Sequence, residues 1–391
     1  MRDLGTWPGA GRIAGTIIVA IGVAVGASRA HAQVVSGQSA PAAPTPAQTA
    51  PATPSPAQAA PATPAPTPPA DKFSALVFGD YYYFAQDHDP NWEGENGFWL
   101  RRIYLTWDHT FSPTLVTRLR LEMNSNGQLK SGNITPYVKD AYLRWTYAGR
   151  QQVTLGIQPT PIIEFGDAFW GLRHIEKTPL DLYKWDSSRD FAVTASGPLD
   201  RAGRVKYTFQ FGNESGTESE LNSSKAIRSA LRYDAGSGLT FQANVSRFHH
   251  VSHADWVTAH AQLGYRHARG RAGVEYAYQL REHGDFSTTP DVTQRVVSVF
   301  GVADPRPQKI SAFARLDFYL DACPRCADLS YLPIDPGAPF TFGLAGVEFY
   351  IHPSVRFSPN VEWVAYGTPV SAGAAPLKND IVFRTTFFWS W

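Results

Sequence analysis

The chain has 391 residues, of which 13% are aromatic, with 11 Trp, 17 Tyr and 23 Phe against two Met and two Cys. Its 35 basic and 34 acidic residues nearly cancel, so the formal net charge is +1. This balance, without a basic cluster or a suitable motif, excludes nucleic acid as a partner. The length allows two or three ordinary domains or one large all-β domain.

Residues 1–32 have the parts of a secretory signal peptide. Two arginines precede the apolar run 13–27, and Ala30 and Ala32 are the small residues before a cut at Gln33. The apolar run is shorter than the roughly 20 residues that a bilayer-spanning helix needs, which disfavours a retained anchor. We therefore predict an exported protein.

Residues 33–71 are rich in Pro and Ala, and 40–70 repeat Pro, Ala, Thr and Gln with a period near ten. A segment without large apolar side chains cannot bury a core, and its prolines favour extended polyproline II. We predict a disordered, semi-stiff linker. It is either a plain spacer or a contact to peptidoglycan.

From residue 72 to the end, segments of about ten residues alternate apolar and polar side chains with period two, which is typical of strands. The aromatic content favours the same structure. Sixteen strands are predicted, at 72–85, 98–111, 114–124, 135–147, 151–159, 189–199, 204–212, 224–234, 239–249, 256–268, 271–283, 294–302, 309–320, 340–351, 355–366 and 380–391.

The predicted connections alternate between tight turns, such as Ser112 with Pro113, and longer polar loops, such as 367–379. Short turns on one side and long loops on the other are typical of a transmembrane β-barrel with an even number of strands. A soluble sandwich would alternate in the same way, but the signal peptide, the turn asymmetry and the aromatic strand ends favour the barrel. The predicted fold is therefore all-β, a 16-stranded antiparallel transmembrane barrel over 72–391.

The last eight residues, RTTFFWSW, place large aromatic side chains at the end of the final strand. Lipid would cover such a face, and tryptophan is favoured at headgroup depth. The pattern also resembles the signal by which outer-membrane barrels are recognised for insertion; the alternative is an ordinary edge strand. The predicted lipid face holds Ile381, Phe383, Phe387, Trp389 and Trp391, opposite Arg384, Thr386 and Ser390.

Between residues 98 and 215 the chain resembles the phosphate-selective porins of the O and P type. The matching stretches include FWLRRIYLTWDHTFSPTLVTRLRLEMN, VKDAYLRWTYAGRQQVTLGIQPTPIIEF and SRDFAVTASGPL. The resemblance implies sixteen strands, a homotrimer and a long third loop folded into the pore. Gln158 stands before Pro159 where the family often has lysine, so general small solutes are an alternative to phosphate.

The longest connection, 160–188, is the third long loop, and loops of this length are usually functional. Its aromatic residues, including Phe169 and Trp170, make it too apolar for a solvated lid. We therefore predict an inward-folded constriction loop, with an extracellular cap as the alternative. The charged residues expected to set its local field are Glu164, Asp167, Arg173 and Lys177.

The polar strand faces carry more basic than acidic residues, and charge near low-dielectric walls biases ion passage. We therefore predict a preference for anions. The alternative is that these charges pair across strands and hold the wall together. The predicted pore-lining residues are Arg102, Arg118, Arg120, Arg144, Lys206, Arg228, Arg232, Arg266, Arg315, Arg356 and Arg384.

Cys323 and Cys326 form CPRC in the seventh long loop, and in an exported protein a disulfide is the first interpretation. His249, His250 and His253 cluster at the fifth loop, where metal binding competes with simple exposure. We predict no metal and no cofactor.

Together these patterns predict an outer-membrane porin that lets small anionic or neutral hydrophilic solutes diffuse passively, in contact with membrane lipid. We do not expect an enzyme. The alternatives are a barrel hydrolase, for which Ser252, His253 and Asp255 are too close in sequence to form a triad, and a wall-tethered structural or adhesion protein suggested by residues 33–71.

Overall fold

The computed structural model describes residues 70–125, 133–250, 255–283, 290–324 and 332–391. The predicted signal peptide and almost all of the predicted linker lie outside the described residues. Two helices, α1 (Pro161–Trp170) and α2 (Pro179–Leu182), follow the fifth strand. The sixteen strands are β1 (Ala70–Gln86), β2 (Asn96–Ser112), β3 (Leu115–Ser125), β4 (Ile134–Tyr147), β5 (Gln151–Pro159), β6 (Arg189–Pro198), β7 (Val205–Gly212), β8 (Lys225–Asp234), β9 (Leu239–His249), β10 (Asp255–His267), β11 (Gly270–Arg281), β12 (Val292–Arg306), β13 (Ile310–Tyr319), β14 (Phe340–His352), β15 (Val355–Tyr366) and β16 (Asp380–Ser390).

Every strand pairs antiparallel with its neighbours in the chain, and β1 pairs with β16 to close the barrel. The closing ladder runs from Leu76 opposite Ser390 to Gln86 opposite Ile381, with a shift in register after Phe84. Beyond β16, the backbone of Trp391 exchanges two hydrogen bonds with Ala75, at 3.0 and 3.1 Å. Closure leaves no strand edge unpaired, which is what a lipid environment requires of a sheet.

One face of each strand is exposed and apolar. Leu155, Phe209 and Leu231 are examples from three strands, each about half exposed. A continuous apolar surface of this extent is far larger than that of a soluble monomer, so it marks contact with lipid. None of the described helices has the length and hydropathy of a membrane span.

The predicted strands are confirmed, with ends that agree to within four residues. The largest difference is at β12, which was expected to end at residue 302 and continues to Arg306. The register there shifts between Ala303 and Arg306, so an irregular end carries the strand past Pro305, the first of the two prolines that indicated a loop. The predicted outward face of the last strand is also confirmed, since Phe383 and Trp389 are exposed.

Candidate functional site

The predicted constriction loop, residues 160–188, is called here the third-loop segment. Its helix α1 starts with Pro161 directly after Thr160, whose backbone is extended, and proline is well suited to the first turn of a helix. The helix ends at Gly171, where φ is +67° and the backbone N–H donates to the Asp167 carbonyl. Glycine adopts this left-handed conformation without strain, so it turns the chain out of the helix.

The third-loop segment packs its aromatic residues against the buried faces of β12–β14. Trp170, Tyr183 and Trp185 are fully buried. The ring of Trp170 lies 5.2 Å from that of Phe300, and the ring of Tyr183 lies 5.1 Å from that of Tyr319. Burial of such side chains is worth several kcal/mol each. We call this surface the apolar wall; it comprises Val296, Phe300, Val302, Phe313, Tyr319, Phe340, Phe342, Leu344 and, from β15, Val364.

Glu176 of the third-loop segment binds two arginines from different strands. Its Oε2 lies 3.2 Å from Arg101 Nη2 on β2 and 3.0 Å from Arg384 Nη1 on β16. Arg384 also pairs with Glu362 on β15 at 3.0 Å. Removing one member of such a buried group leaves an uncompensated charge, which is strongly destabilising. Glu176 therefore connects the third-loop segment to β2 and β16, the two strands that flank β1.

Two further predicted pore-lining arginines also contact the third-loop segment. Arg228 on β8 binds Asp186 at 2.8 Å and Asp190 at 2.7 Å. Arg315 on β13 donates to the Lys177 carbonyl at 2.6 Å and pairs with Asp317 at 2.9 Å. The side chains of Arg228, Arg315 and Arg384 are each 1% exposed. In this arrangement these three arginines fasten the segment to the barrel rather than meet solvent.

Other predicted pore-lining residues keep exposed side chains. The exposed fraction is 30% for Arg118, 22% for Arg120, 38% for Arg232 and 47% for Lys206. We call the surface formed by these four residues and Arg144, on β3, β4, β7 and β8, the polar wall. Its cations have acidic neighbours: Arg118 pairs with Asp108, Arg120 with Asp140, and both Lys206 and Arg232 with Asp234.

The remaining predicted pore-lining residues lie elsewhere around the barrel. Arg102 pairs with Glu122 at 2.7 Å, and its side chain is 14% exposed. Arg356 pairs with Glu348 at 3.4 Å. Arg266 is exposed, and it stacks over Phe169 and donates to the Ala168 carbonyl of α1.

Two β-bulges bring in cations that strict alternation assigns to the wrong face. In the β1–β2 ladder Phe78 pairs with Arg102 and Gly79 with Leu100, so Arg101 is the extra residue. In the β3–β4 ladder the extra residue is Lys139, which lies 2.9 Å from Glu122. An inserted residue turns its side chain toward the same face as its neighbour. Arg101 and Lys139 are therefore buried beside Arg102 and Asp140.

The predicted charges of the third-loop segment find their partners within the segment itself. Arg173 contacts Asp167 at 3.3 Å and Asp181 at 2.7 Å, and Lys177 reaches Asp181 at 2.8 Å. Lys177 is buried, Arg173 and Asp167 are partly exposed, and Glu164 is exposed. Asp181, absent from the sequence prediction, is the shared partner. Its pair with Lys177 has the i, i+4 spacing that could have indicated it, whereas its pair with Arg173 depends on how the segment folds back after α1.

The predicted loop sites are described in part. Cys323 is buried and disulfide-bonded, and Cys326, the expected partner, lies outside the described residues. His249 lies 2.7 Å from Asp255 and His250 lies 3.2 Å from Glu214, so carboxylates neighbour both imidazoles. Ser252 and His253 lie outside the described residues.

Solved structures with the same fold are outer-membrane proteins. The trimer form of OmpT from Vibrio cholerae is 14% identical, with a TM-score of 0.57 over 83% of this chain and 100% of that chain. An anion-selective porin from Comamonas acidovorans is 11% identical, with a TM-score of 0.59 over 83% and 100%. The outer-membrane channel DcaP of Acinetobacter baumannii is 9% identical, with a TM-score of 0.58 over 83% and 98%.

No known protein-family profile matches the chain, and no curated protein matches it in sequence. At these identities the neighbours establish the shared barrel fold. The expected phosphate-selective family therefore stays a prediction, while a fold shared with outer-membrane porins is shown.

Proposed function

We propose that the protein is an outer-membrane porin through which small hydrophilic solutes diffuse passively. The observation that carries the proposal is the contrast between the two faces of the closed barrel: an exposed apolar outer face and an inner face with charged side chains. A membrane barrel with a polar interior is suited to an aqueous path. The outer-membrane neighbours support this assignment.

The third-loop segment supports a narrowed path. It contacts the buried faces of strands as far apart as Arg101 on β2, Arg228 on β8 and Arg315 on β13. Contacts with opposite sides of a closed sheet support a position inside the barrel. We infer that it fills the lumen beside the apolar wall and leaves the solute path along the polar wall.

We infer a preference for anions. Arg118, Arg120, Arg144, Arg232 and Lys206 keep partly accessible side chains on the polar wall, and Arg266 joins them from β10, so these cations outnumber the partly accessible carboxylates Asp108 and Asp234 beside them. Charge beside a low-dielectric wall concentrates counter-ions. The anion-selective porin among the structural neighbours supports this preference. Phosphate is the first specific anion to test, because the sequence between residues 98 and 215 resembles that of the phosphate-selective porins.

We further propose a homotrimer embedded in outer-membrane lipid, as the OmpT trimer suggests. The exposed aromatic side chains of the outer face provide apolar surface both for lipid and for copies of the chain. Without cross-linker, the protein in mild detergent should migrate as a trimer that heating converts to monomer, and a covalent cross-linker should preserve the trimeric band on heating. A purely monomeric product in lipid would contradict this part of the proposal.

Single-channel recording in planar lipid bilayers tests the main proposal. The purified protein should give stepwise conductance, and the reversal potential in a KCl gradient should have the sign of chloride preference. Heat-denatured protein is the control. An absence of steps, together with hydrolysis of lipid or peptide in detergent, would favour a barrel hydrolase, and a potassium-selective potential would overturn the anion preference.

A further inference from the structure

A cluster of ligand-type side chains lies where β1 and β16 close the barrel, at the end that carries the long loops. Asp87 and His88 follow β1, Asp380 begins β16, and Tyr366 ends β15. His88 Nδ1 lies 3.0 Å from Asp380 Oδ1, 3.2 Å from Asp87 Oδ1 and 3.1 Å from Tyr366 Oη. Ligand atoms of Asp87, His88 and Asp380 all lie within 4.8 Å of one another.

The hydrogen bonds in this cluster leave one buried oxygen without a partner and crowd one nitrogen. An imidazole nitrogen has one proton or one lone pair, yet four oxygens surround His88 Nδ1, both of Asp380 and one each of Asp87 and Tyr366. The Asp87 side chain is 0% exposed, and its Oδ2 has no hydrogen-bond partner among the described residues. A buried carboxylate oxygen without a partner is costly, and a second carboxylate, Asp380, lies beside it. A bound cation would satisfy these oxygens and neutralise both carboxylates.

We propose that Asp87, His88 and Asp380 bind a divalent cation of the zinc class. Imidazole nitrogen with carboxylate oxygen is a donor set that Zn²⁺ takes, whereas Ca²⁺ and Mg²⁺ prefer oxygen alone. Ligand atoms about 2.1 Å from a tetrahedral zinc are roughly 3.4 Å apart. The observed separations of 3.0 and 3.2 Å are close to that value, so small side-chain shifts would admit the ion.

Tyr366 has the place of an orienting residue. Its hydroxyl donates to Asp380 Oδ2 at 2.6 Å and accepts from the Asp335 backbone N–H at 3.2 Å. Such outer hydrogen bonds fix the direction of a ligating carboxylate. His88 also borders a cavity of about 490 Å³ lined by Trp92 and Asp335, which gives an ion a way in.

The ion would tie the start of the first long loop to the end of the last one, across the closing pair of strands. The competing explanation is that a protonated His88 alone bridges the two carboxylates. That explanation requires no metal, so a binding measurement separates the two.

Isothermal titration of untagged, chelator-treated protein in detergent with ZnCl₂ tests the proposal. We expect one Zn²⁺ per chain, with affinity lower by roughly tenfold or more in Asp87→Asn and His88→Gln. The matched control is His352→Gln, an exposed histidine at the opposite end of the barrel, which should bind as the parent does. A variant with His249, His250 and His253 replaced by Gln should also keep the site.

A measurement on the unmodified protein guards against a folding defect in the variants. Zinc X-ray absorption of the loaded protein should show mixed nitrogen and oxygen ligands, and Zn²⁺ should raise the melting temperature relative to chelator. Equal zinc binding by the parent and Asp87→Asn would overturn the proposal. So would tighter binding of Ca²⁺ than Zn²⁺, or no zinc binding by the parent.

Discussion

The apolar wall and the polar wall belong to the same closed sheet, yet their inner faces differ in chemistry. On the apolar wall, Phe300 and Phe340 contact the third-loop segment and are almost fully buried. On the polar wall, Arg118 and Arg232 keep about a third of their side chains exposed. The difference teaches that different arcs of one closed sheet can have different partners: one arc packs against the third-loop segment, and the other keeps its charged side chains accessible.

The first prediction concerns the packing of the third-loop segment on the apolar wall. Trp170→Ala should cost about 3–5 kcal/mol, because it removes a fully buried ring that packs against Phe300 and Phe313. Trp145→Ala is the matched control, since Trp145 is half exposed on the outer face. Thermal unfolding in detergent measures the difference. Equal losses in the two variants would mean that the apolar wall does not hold the third-loop segment.

The second prediction concerns the ion pairs that connect Glu176 of the third-loop segment to the barrel. Glu176→Gln should destabilise the fold by about 3–5 kcal/mol at most, because Arg101 and Arg384 lose their shared carboxylate while buried. It should also increase the mean single-channel conductance and widen the spread of conductance values, because the third-loop segment shifts. Glu218→Gln, on an exposed position of the loop between β7 and β8 and outside the third-loop segment, is the control and should leave conductance unchanged. An unchanged conductance in Glu176→Gln would contradict the constriction role.

The third prediction concerns the polar wall. Replacing Arg118 and Arg232 together with Gln should move the reversal potential toward cation preference, since Asp108 and Asp234 lose basic partners. Stability should change by about 1 kcal/mol or less per pair, because these pairs are partly exposed. Arg315→Gln should show the opposite balance of effects. It should lose much stability, because Arg315 is buried and bound to Asp317, and it should change ion selectivity little. Selectivity that followed Arg315 instead would place the solute path on the other arc.

The smallest effect lies in the loop that follows the polar wall between β7 and β8. Burial, together with Asp186, Asp190 and Glu220, raises the pKa of Glu214 to about 8, although nearby Arg228 opposes the shift. The folded protein therefore favours the neutral acid. Stability should fall as the pH rises from about 4.5 to about 8, since the unfolded chain ionises first.

Glu214→Gln removes this dependence, so its melting temperature should exceed that of the parent above pH 8 and match it below pH 4.5. Glu218→Gln, an exposed position in the same loop, is the control. The same pH profile in parent and Glu214→Gln would show that the group titrates normally.

The strands of this barrel could be predicted from the sequence because a lipid-facing outer surface requires apolar and polar side chains to alternate along each strand. β16 is a clear case: Phe383 and Trp389 face outward, as their spacing predicts. The same rule failed at Arg101 and Lys139, because a β-bulge adds one residue and breaks the period of two. Bulges leave little trace in the sequence.

The placement of the third-loop segment was harder to derive. In β12 the neighbours Val296 and Val297 are both apolar, and in β14 Phe342 and Leu344 face the segment. Apolar residues on both faces blur the alternation, so the sequence did not indicate which arc would receive the loop. The burial of Arg228, Arg315 and Arg384 was missed for a different reason. It depends on partners from the third-loop segment, which is distant in sequence from β8, β13 and β16.

The contacts of Glu176 have a consequence for assembly. Arg101 and Arg384 stand on the strands that flank β1, so the carboxylate can hold both guanidinium groups only once the first and last strands have met. Pairing of β1 with β16 is therefore a condition for this double ion pair, and a chain whose sheet is still open can bind the third-loop segment through only one of the two arginines at a time.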